Sequence, residues 1–443
     1  MPSTRDYEYL LECENVIGVD YDEEVDRVTV FVSQKRPRDC LDDADDVEKR
    51  VADAGDDVDV SVVDSGYDEK REGFDALSTL DPMPEAAAGR QECHRPVPAG
   101  VSEINANSTA GTGGPYPARV DRANGDGNDD GDATDARWRD DVADGDLVRL
   151  SNNHVYARSN EAAFGESILQ PSPADGGDAD DEVGQLVGYV PIEDDGLVDV
   201  AARSADPDRE SAIYYGLDEA WPTGVRREGY DDLRGETVTK TGRTTGVTSA
   251  AIEAASATVR VEFGDRGTVE FREQLVAGPM SEPGDSGSPV FLADGRLVGL
   301  LFAGSSRQTI CNRIANVERE LGVEILTAAP SEAPDDDDDA VPVYRTTMEH
   351  ALAVEFDAPT LSLESMTFED ELRPGETVDV AATVAAEPGT YWLSIGDQRA
   401  TVSIPGGEES DGLATVTLSV SVPDDAASSL SVRIRGGPVA TLE

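Results

Sequence analysis

The sequence predicts a mainly β protein, because apolar and polar residues alternate in two separate regions, whereas stretches with the periodicity of a helix are few and short. Residues 258–263 and 268–271 alternate as strands on either side of the glycine-bounded loop 264–267, the pattern of a hairpin. Nearer the C-terminus, turns rich in proline and glycine interrupt three further alternating stretches, residues 378–384, 414–420 and 430–434. Helical spacing is clearest at residues 41–54, with a short closing helix expected at 317–321.

The N-terminal region predicts a small α/β unit. Strand-like stretches at residues 16–19, 28–32 and 58–63 surround the helical stretch, and residues 68–94 are polar enough to predict a linker. No chemistry is visible in this unit. It either gates a functional site, binds a partner, mediates assembly or is a structural appendage.

A glycine-flanked serine is the strongest chemical signal in the chain. Residues 284–289 read Gly-Asp-Ser-Gly-Ser-Pro and precede an apolar strand that begins at Val290. Glycines allow a tight turn that aims backbone N–H groups at one point, as an oxyanion hole requires. Taken alone, the motif predicts a surface turn equally well.

A nucleophilic serine needs a base and a group that orients it. Of the three histidines, only His154 follows a predicted strand, at residues 147–150, although a merely structural histidine at a strand end fits as well. His94 and His350 are expected to be structural or surface residues. Asp199 is a single acid inside the apolar run 197–202, where an unpaired charge would be costly, and the alternative is an edge-strand carboxylate that faces water.

The order His154, Asp199, Ser286 and the serine motif resemble the chymotrypsin-like serine peptidases. Residues 150–155, 168–171 and 240–246 resemble a trypsin-like group of bacteria, archaea and plants that includes the plant Narrow-leaf-type proteins. This resemblance covers about residues 95–326 and implies a double β-barrel, with the histidine and aspartate on one barrel and the serine on the other.

The resemblance also implies roles for individual residues. Ser286 would be the nucleophile, His154 the general base and then acid, and Asp199 the group that stabilises the imidazolium, while the N–H groups of Gly284 and Ser286 would form the oxyanion hole. No metal or other cofactor is implied. Asn152-Asn153 stands where secreted relatives usually have two alanines, and Val155 where a cysteine often follows the histidine, which puts rigidity in doubt more than chemistry.

A different hydrolase class fits poorly. An α/β-hydrolase would carry Gly-x-Ser-x-Gly with its acid and histidine after the serine. Here the residue two after Ser286 is Ser288, and the one later histidine, His350, lies beyond an acidic run.

The composition indicates the kind of solution in which the protein works. The chain has 443 residues, a net charge of −56 and only four lysines, a balance that resembles proteins of salt-accumulating archaea. The rival explanation is that the acids serve calcium binding or nucleic-acid mimicry. Residues 126–131 match the first half of an EF-hand loop, but Arg137 stands where the bidentate glutamate should be. The sequence has no basic stripe of the kind that binds nucleic acid, so nucleic acid is not expected as a partner. Residues 121–132 form an acidic low-complexity insertion, which predicts a solvated loop or a segment that partly covers the active-site cleft.

Four widely spaced cysteines and an N-terminus without a leader pattern predict free thiols and a soluble, cytoplasmic protein without a membrane segment. The predicted function is a serine endopeptidase acting on proteins or peptides; the alternative is a non-catalytic binding or scaffold protein with a peptidase fold, and homo-oligomerisation is left open. The C-terminal strands resemble an immunoglobulin-like β-sandwich that binds or spaces. The expected organisation is therefore an N-terminal domain with linker, a double-barrel peptidase domain, an acidic linker and a sandwich, at residues 1–94, 95–328, 329–340 and 341–443.

Overall fold

The computed structural model describes most of the chain in two compact units, Met1–Thr327 and Ala328–Glu443. The described residues of the first unit are 2–43, 45–55, 58–77, 83–122, 135–217 and 221–327, and those of the second are 352–357, 362–368, 377–386, 388–395, 398–404, 413–421 and 430–438. Most of the predicted insertion and the whole aspartate run at 335–339 lie outside these residues.

The prediction of a mainly β protein is confirmed. The described α-helices are α1 Val47–Ala54, α2 Asn153–Tyr156 and α3 Ile314–Leu321. In chain order the strands of the first unit are β1 Val16–Asp22, β2 Arg27–Val32, β3 Asp59–Asp64, β4 Phe74–Ala76, β5 Val97–Ala99, β6 Ile104–Asn105, β7 Ala118–Val120, β8 Arg137–Trp138, β9 Leu147–Ser151, β10 Ser167–Leu169, β11 Glu182–Tyr189, β12 Ala201–Ser204, β13 Glu210–Tyr214, β14 Gly224–Val225, β15 Thr237–Gly242, β16 Gly246–Glu262, β17 Thr268–Ala277, β18 Pro289–Leu292, β19 Arg296–Gly304, β20 Thr309–Arg313 and β21 Val323–Ile325.

Six strands of the first unit close into an antiparallel barrel in the order β15-β18-β19-β20-β17-β16, with β16 pairing back to β15. Closure depends on β16, which pairs with β15 through its first residues and with β17 from Ile252 onward. Its register shifts after Ile252, Ala254 and Ala257, and such bulges bend a strand enough to turn a barrel corner.

The N-terminal strands extend this barrel sheet. Beyond the end of β15, one edge of β16 is free, and β1 pairs there at Thr258 and Val259, followed outward by β2 and β3. Strand β4 pairs with the same strand and also with β19. Residues 68–94, for which the sequence predicts a polar linker, therefore include a strand, because an open strand edge can recruit even a short extended segment.

A second sheet of the same unit carries the histidine. Its order is β21-β7-β9-β12-β11-β10-β6, with β8 paired to β11. One residue separates the end of β9 from α2, and the register of β9 with β12 places Ser151 opposite Ala201, two residues beyond Asp199. The chain leaves the barrel through α3 and returns to this sheet as β21, and apolar residues from both sheets and α3 form one buried cluster.

The second unit consists of seven described strands in two sheets. Their bounds are β22 Leu352–Asp357, β23 Ser362–Phe368, β24 Thr377–Ala385, β25 Gly389–Ile395, β26 Gln398–Ile404, β27 Leu413–Ser421 and β28 Leu430–Pro438, in the orders β22-β28-β25-β26 and β23-β24-β27. Alternate residues are buried on β24 and on β25, so each sheet has one covered face. The immunoglobulin-like class stays a prediction. Among the described residues of both units, no helix has the length and apolar character needed to cross a membrane.

Candidate active site

The structure brings His154 and Asp199 into direct contact. Strand β9 ends at Ser151, and His154 is the second residue of the short helix α2 that follows. Its Nδ1 lies 2.5 Å from Oδ2 of Asp199, and its backbone N–H donates to Oδ1 of the same carboxylate at 3.2 Å. Both side chains are buried, so the carboxylate fixes the orientation of the ring and favours the tautomer with a proton on Nδ1.

Asp199 is held by its backbone as well as by the histidine. Its N–H donates to Oδ1 of Asn312 at 3.1 Å, and its carbonyl accepts from the side-chain amides of Asn152 at 2.9 Å and of Asn312 at 3.2 Å. Asn312 belongs to β20, so the closed barrel helps to place an acid of the other sheet. The sequence gives no sign of this role, because an asparagine in an apolar strand is seen only as a polar interruption.

The two asparagines that depart from the resembled pattern both make tertiary contacts. Asn153 donates to the carbonyl of Val190 at 2.7 Å and exchanges two hydrogen bonds with Asn160. With the bond from Asn152 to the carbonyl of Asp199, these contacts tie the start of the histidine turn to residues next to the ends of β11 and β12. They offer a physical substitute for the rigidity that the missing cysteine puts in doubt.

The other ring nitrogen of His154 is left without a partner. Its Nε2 is buried and has no hydrogen-bond partner among the described residues. The ring of Phe263, at the tip of the β16–β17 hairpin, packs edge-on against the imidazole with centroids 5.9 Å apart. The atom that would accept a proton is therefore both uncommitted and shielded from water.

Ser286 lies in a turn that only glycine can build. Gly284 has φ +97° and Gly287 has φ +93°, a region that other residues rarely adopt. A Cβ on Gly287 would lie 2.2 Å from Oγ of Ser151, and one on Gly284 would lie 2.4 Å from Oγ1 of Thr244. The turn is thus packed tightly against both sheets, which the glycine spacing of the motif anticipates.

The hydroxyl of Ser286 is not hydrogen-bonded to His154 in this structure. Its Oγ donates to the carbonyl of Phe302 on β19 at 3.2 Å, and the serine is fully buried. The N–H of Gly284 is also engaged, since it donates to the carbonyl of Leu77 at 2.6 Å. The histidine–aspartate pair is thus assembled, whereas the serine hydroxyl and the N–H of Gly284 each donate a hydrogen bond to a backbone carbonyl.

A buried ion pair stands directly under the serine turn. Nζ of Lys240 lies 3.1 Å from Oδ2 of Asp285, and neither side chain has any exposure. Asp285 also accepts hydrogen bonds from the backbone N–H groups of Thr244 at 2.8 Å and Glu282 at 3.1 Å. Burial lowers the pKa of Lys240, and the charge of Asp285 opposes that shift. Sequence reasoning missed this lysine, although a lone lysine in an alternating strand of a lysine-poor chain is a usable signal.

The arrangement can support acid–base and nucleophilic chemistry from protein groups. Within the part of the chain that the structure describes, no three His, Cys, Asp or Glu side chains are grouped as a metal site requires. His94, expected to be structural or at the surface, donates one hydrogen bond through Nε2 to the carbonyl of Gly89 at 2.8 Å, far along the chain from the serine turn.

Comparison with known proteins finds similarity to solved structures at low sequence identity. No protein-family model matches the chain, and no curated protein matches it. Among solved structures, the chain is similar to a chymotrypsin of Cellulomonas bogoriensis (16% identity, 52% of this chain and 98% of that chain, TM-score 0.33) and to a Nocardiopsis protease (15%, 52% and 98%, TM-score 0.34). It is also similar to a glutamic acid-specific serine protease (17%, 52% and 100%, TM-score 0.35).

Proposed function

We propose that the chain is a serine endopeptidase that hydrolyses peptide bonds through an acyl-enzyme, with a chymotrypsin-like double barrel as its peptidase domain. The observation that carries the proposal is the 2.5 Å contact between buried His154 and Asp199, with the second ring nitrogen uncommitted, in the same unit as a glycine-built serine turn. A protein or peptide is the substrate class that such a site serves.

In the proposed mechanism, the hydroxyl of Ser286 leaves the carbonyl of Phe302 and gives its proton to Nε2 of His154 as Oγ attacks the substrate carbonyl. Asp199 accepts the Nδ1–H bond throughout and stabilises the imidazolium. The N–H groups of Gly284 and Ser286 bind the oxyanion. His154 then returns the proton to the leaving amine, and water repeats the sequence on the acyl-enzyme.

Labelling by a fluorophosphonate tests the proposal together with peptide hydrolysis, both in concentrated KCl. We expect the label on Ser286, its loss in His154→Ala, and no hydrolysis by Ser286→Ala with an unchanged circular dichroism spectrum. Ser249→Ala, a change at an exposed serine on β16, is the control and should keep both activities. Unchanged hydrolysis by Ser286→Ala would refute the assignment, and a wild-type protein that neither hydrolyses nor labels would favour the scaffold alternative.

The salt-adapted cytoplasmic setting remains part of the proposal and is supported by composition alone. A net charge of −56 repels itself strongly when counterions are scarce. Circular dichroism should therefore show unfolding as KCl is withdrawn, and a fold indifferent to salt would contradict this setting.

A further inference from the structure

A short segment of the N-terminal region pairs with the strand beside the serine. Strand β4 runs antiparallel to the end of β19, with Ala76 opposite Ala303 and Asp75 opposite Gly304. The next residue, Leu77, continues the pairing, because its N–H donates to the carbonyl of Phe302 at 3.3 Å. The segment is thus an added strand, the mode in which extended peptides bind to sheet edges.

The carbonyl of Leu77 accepts a hydrogen bond from the N–H of Gly284, one of the two groups that would bind an oxyanion. The N–H of Gly284 donates to it at 2.6 Å, and the same Phe302 carbonyl that receives the Leu77 N–H also receives the hydroxyl of Ser286. Leu77 therefore bonds to the serine turn through its carbonyl and, through its N–H, to the carbonyl of β19 that also accepts the serine hydroxyl. A peptide whose carbonyl is to be attacked must do the same, since the oxyanion donors have to reach the oxygen of that carbonyl.

The side chain of Leu77 fills an apolar pocket of the closed barrel. It is 4% exposed and belongs to one buried cluster with Met280, Val298 and Leu301, whose members are otherwise aliphatic apart from a tyrosine and a cysteine. Met280 lies six residues before the serine in the sequence. A pocket of this composition accepts a leucine-sized apolar side chain and disfavours a charge.

Contacts on either side hold the segment in place. Oη of Tyr67 donates to the carbonyl of Gly304 and accepts from the N–H of Asp75, both at 3.2 Å. On the other side, the described chain resumes at Met83, whose Sδ lies 3.5 Å from where a Cβ on Gly284 would be. The described chain thus borders the serine turn at Leu77 and again at Met83.

We propose that residues 74–77 occupy the peptide-binding site of this enzyme as an internal substrate-like segment. Leu77 takes the position of the residue before the cleaved bond, so the site selects leucine-like residues there, and external peptides gain access when the segment is displaced. This inference rests on the proposed function and adds a substrate preference and a restraint to it.

The rate of fluorophosphonate labelling of Ser286 in the full chain tests the occupancy. In Leu77→Glu a carboxylate replaces an apolar side chain in the pocket, so we expect labelling about tenfold or more faster than in wild type. Leu77→Met should label at the wild-type rate, as should Leu41→Glu, a change in the same N-terminal region away from the barrel. Leu77→Ala serves where the glutamate variant fails to fold, and it should also label faster.

The outcomes separate this inference from the proposed function. Equal labelling rates in wild type, Leu77→Glu and Leu77→Ala would overturn the occupancy and leave the peptidase assignment standing. Absence of label in every folded variant would overturn the peptidase assignment and the inference with it. A peptide library supplies the second measurement: a preference for leucine before the cleaved bond supports the proposal, and a preference for a charged or large aromatic residue overturns it.

Discussion

The two halves of the candidate site differ in how far the structure has assembled them. His154 and Asp199 are in contact and buried, and Asp199 is braced by hydrogen bonds to Asn312 of the barrel sheet and to Asn152. Ser286 instead donates to Phe302, and the neighbouring N–H of Gly284 is taken by Leu77. The comparison shows that the base and its orienting acid can be in place while the nucleophile is hydrogen-bonded to another group. Formation of the histidine–aspartate pair and availability of the serine are therefore separate properties of this chain.

The largest effect is expected from the assembled half. Asp199→Asn keeps the shape but reverses the preferred tautomer of His154, because an amide can donate to Nδ1, and this should lower kcat about 10⁴-fold. Peptide hydrolysis under saturating substrate measures it. Asp195→Asn, a change at an exposed acid in the preceding turn, is the matched control and should leave kcat unchanged. A loss of similar size in both variants would mean that charge rather than contact with the ring matters.

The serine half is expected to depend on the ion pair beneath it. Lys240→Met leaves the carboxylate of Asp285 buried without its counter-charge, and the free energy of unfolding should fall by about 3–5 kcal/mol. Chemical denaturation at constant KCl measures the change. Lys35→Met, at an exposed lysine, should change the same quantity by less than about 0.5 kcal/mol. If the two variants unfold alike, the serine turn does not rely on this pair.

The smallest effect concerns the bracing of the aspartate. Asn152→Ala removes one hydrogen bond to the carbonyl of Asp199, which should cost about 1 kcal/mol of unfolding free energy. The cost is limited because Oδ1 of Asn152 is buried without a partner among the described residues, and alanine removes that penalty too. Denaturation of this variant beside Asn153→Ala, which loses more bonds, gives the ranking. A larger loss from Asn152→Ala would show that the aspartate needs this brace more than the histidine turn does.

Much of the site was predictable because short stretches of sequence determine the local conformation and burial of its residues. The glycines around Ser286 predict a turn with positive φ, and Gly284 and Gly287 have it. An acid within an apolar run predicts burial, and Asp199 is fully buried. The strand before His154 was placed correctly, since alternation and a following polar turn mark a strand end. The catalytic roles of these residues stay predictions until the variants are measured.

The rest of the site depends on contacts that no short stretch encodes. Asn312 resembles an ordinary polar residue of a strand, and nothing near Lys240 in the sequence identifies Asp285 as its partner. Strand β4 was predicted as part of a linker, because a segment of three residues carries too little pattern to predict a strand. Its strand character comes from the edges of β16 and β19 that it meets.

The sequence by itself determined the mainly β class, the glycine turn at Ser286 and the local settings of His154 and Asp199, because backbone preference and burial follow from neighbouring residues. Only the tertiary structure decided that Asn312 braces Asp199 and that Leu77 lies on the N–H of Gly284. Such contacts depend on which strands pair with each other. Alternation of apolar and polar residues shows which face of a strand is buried, but it does not identify the strand that pairs with it.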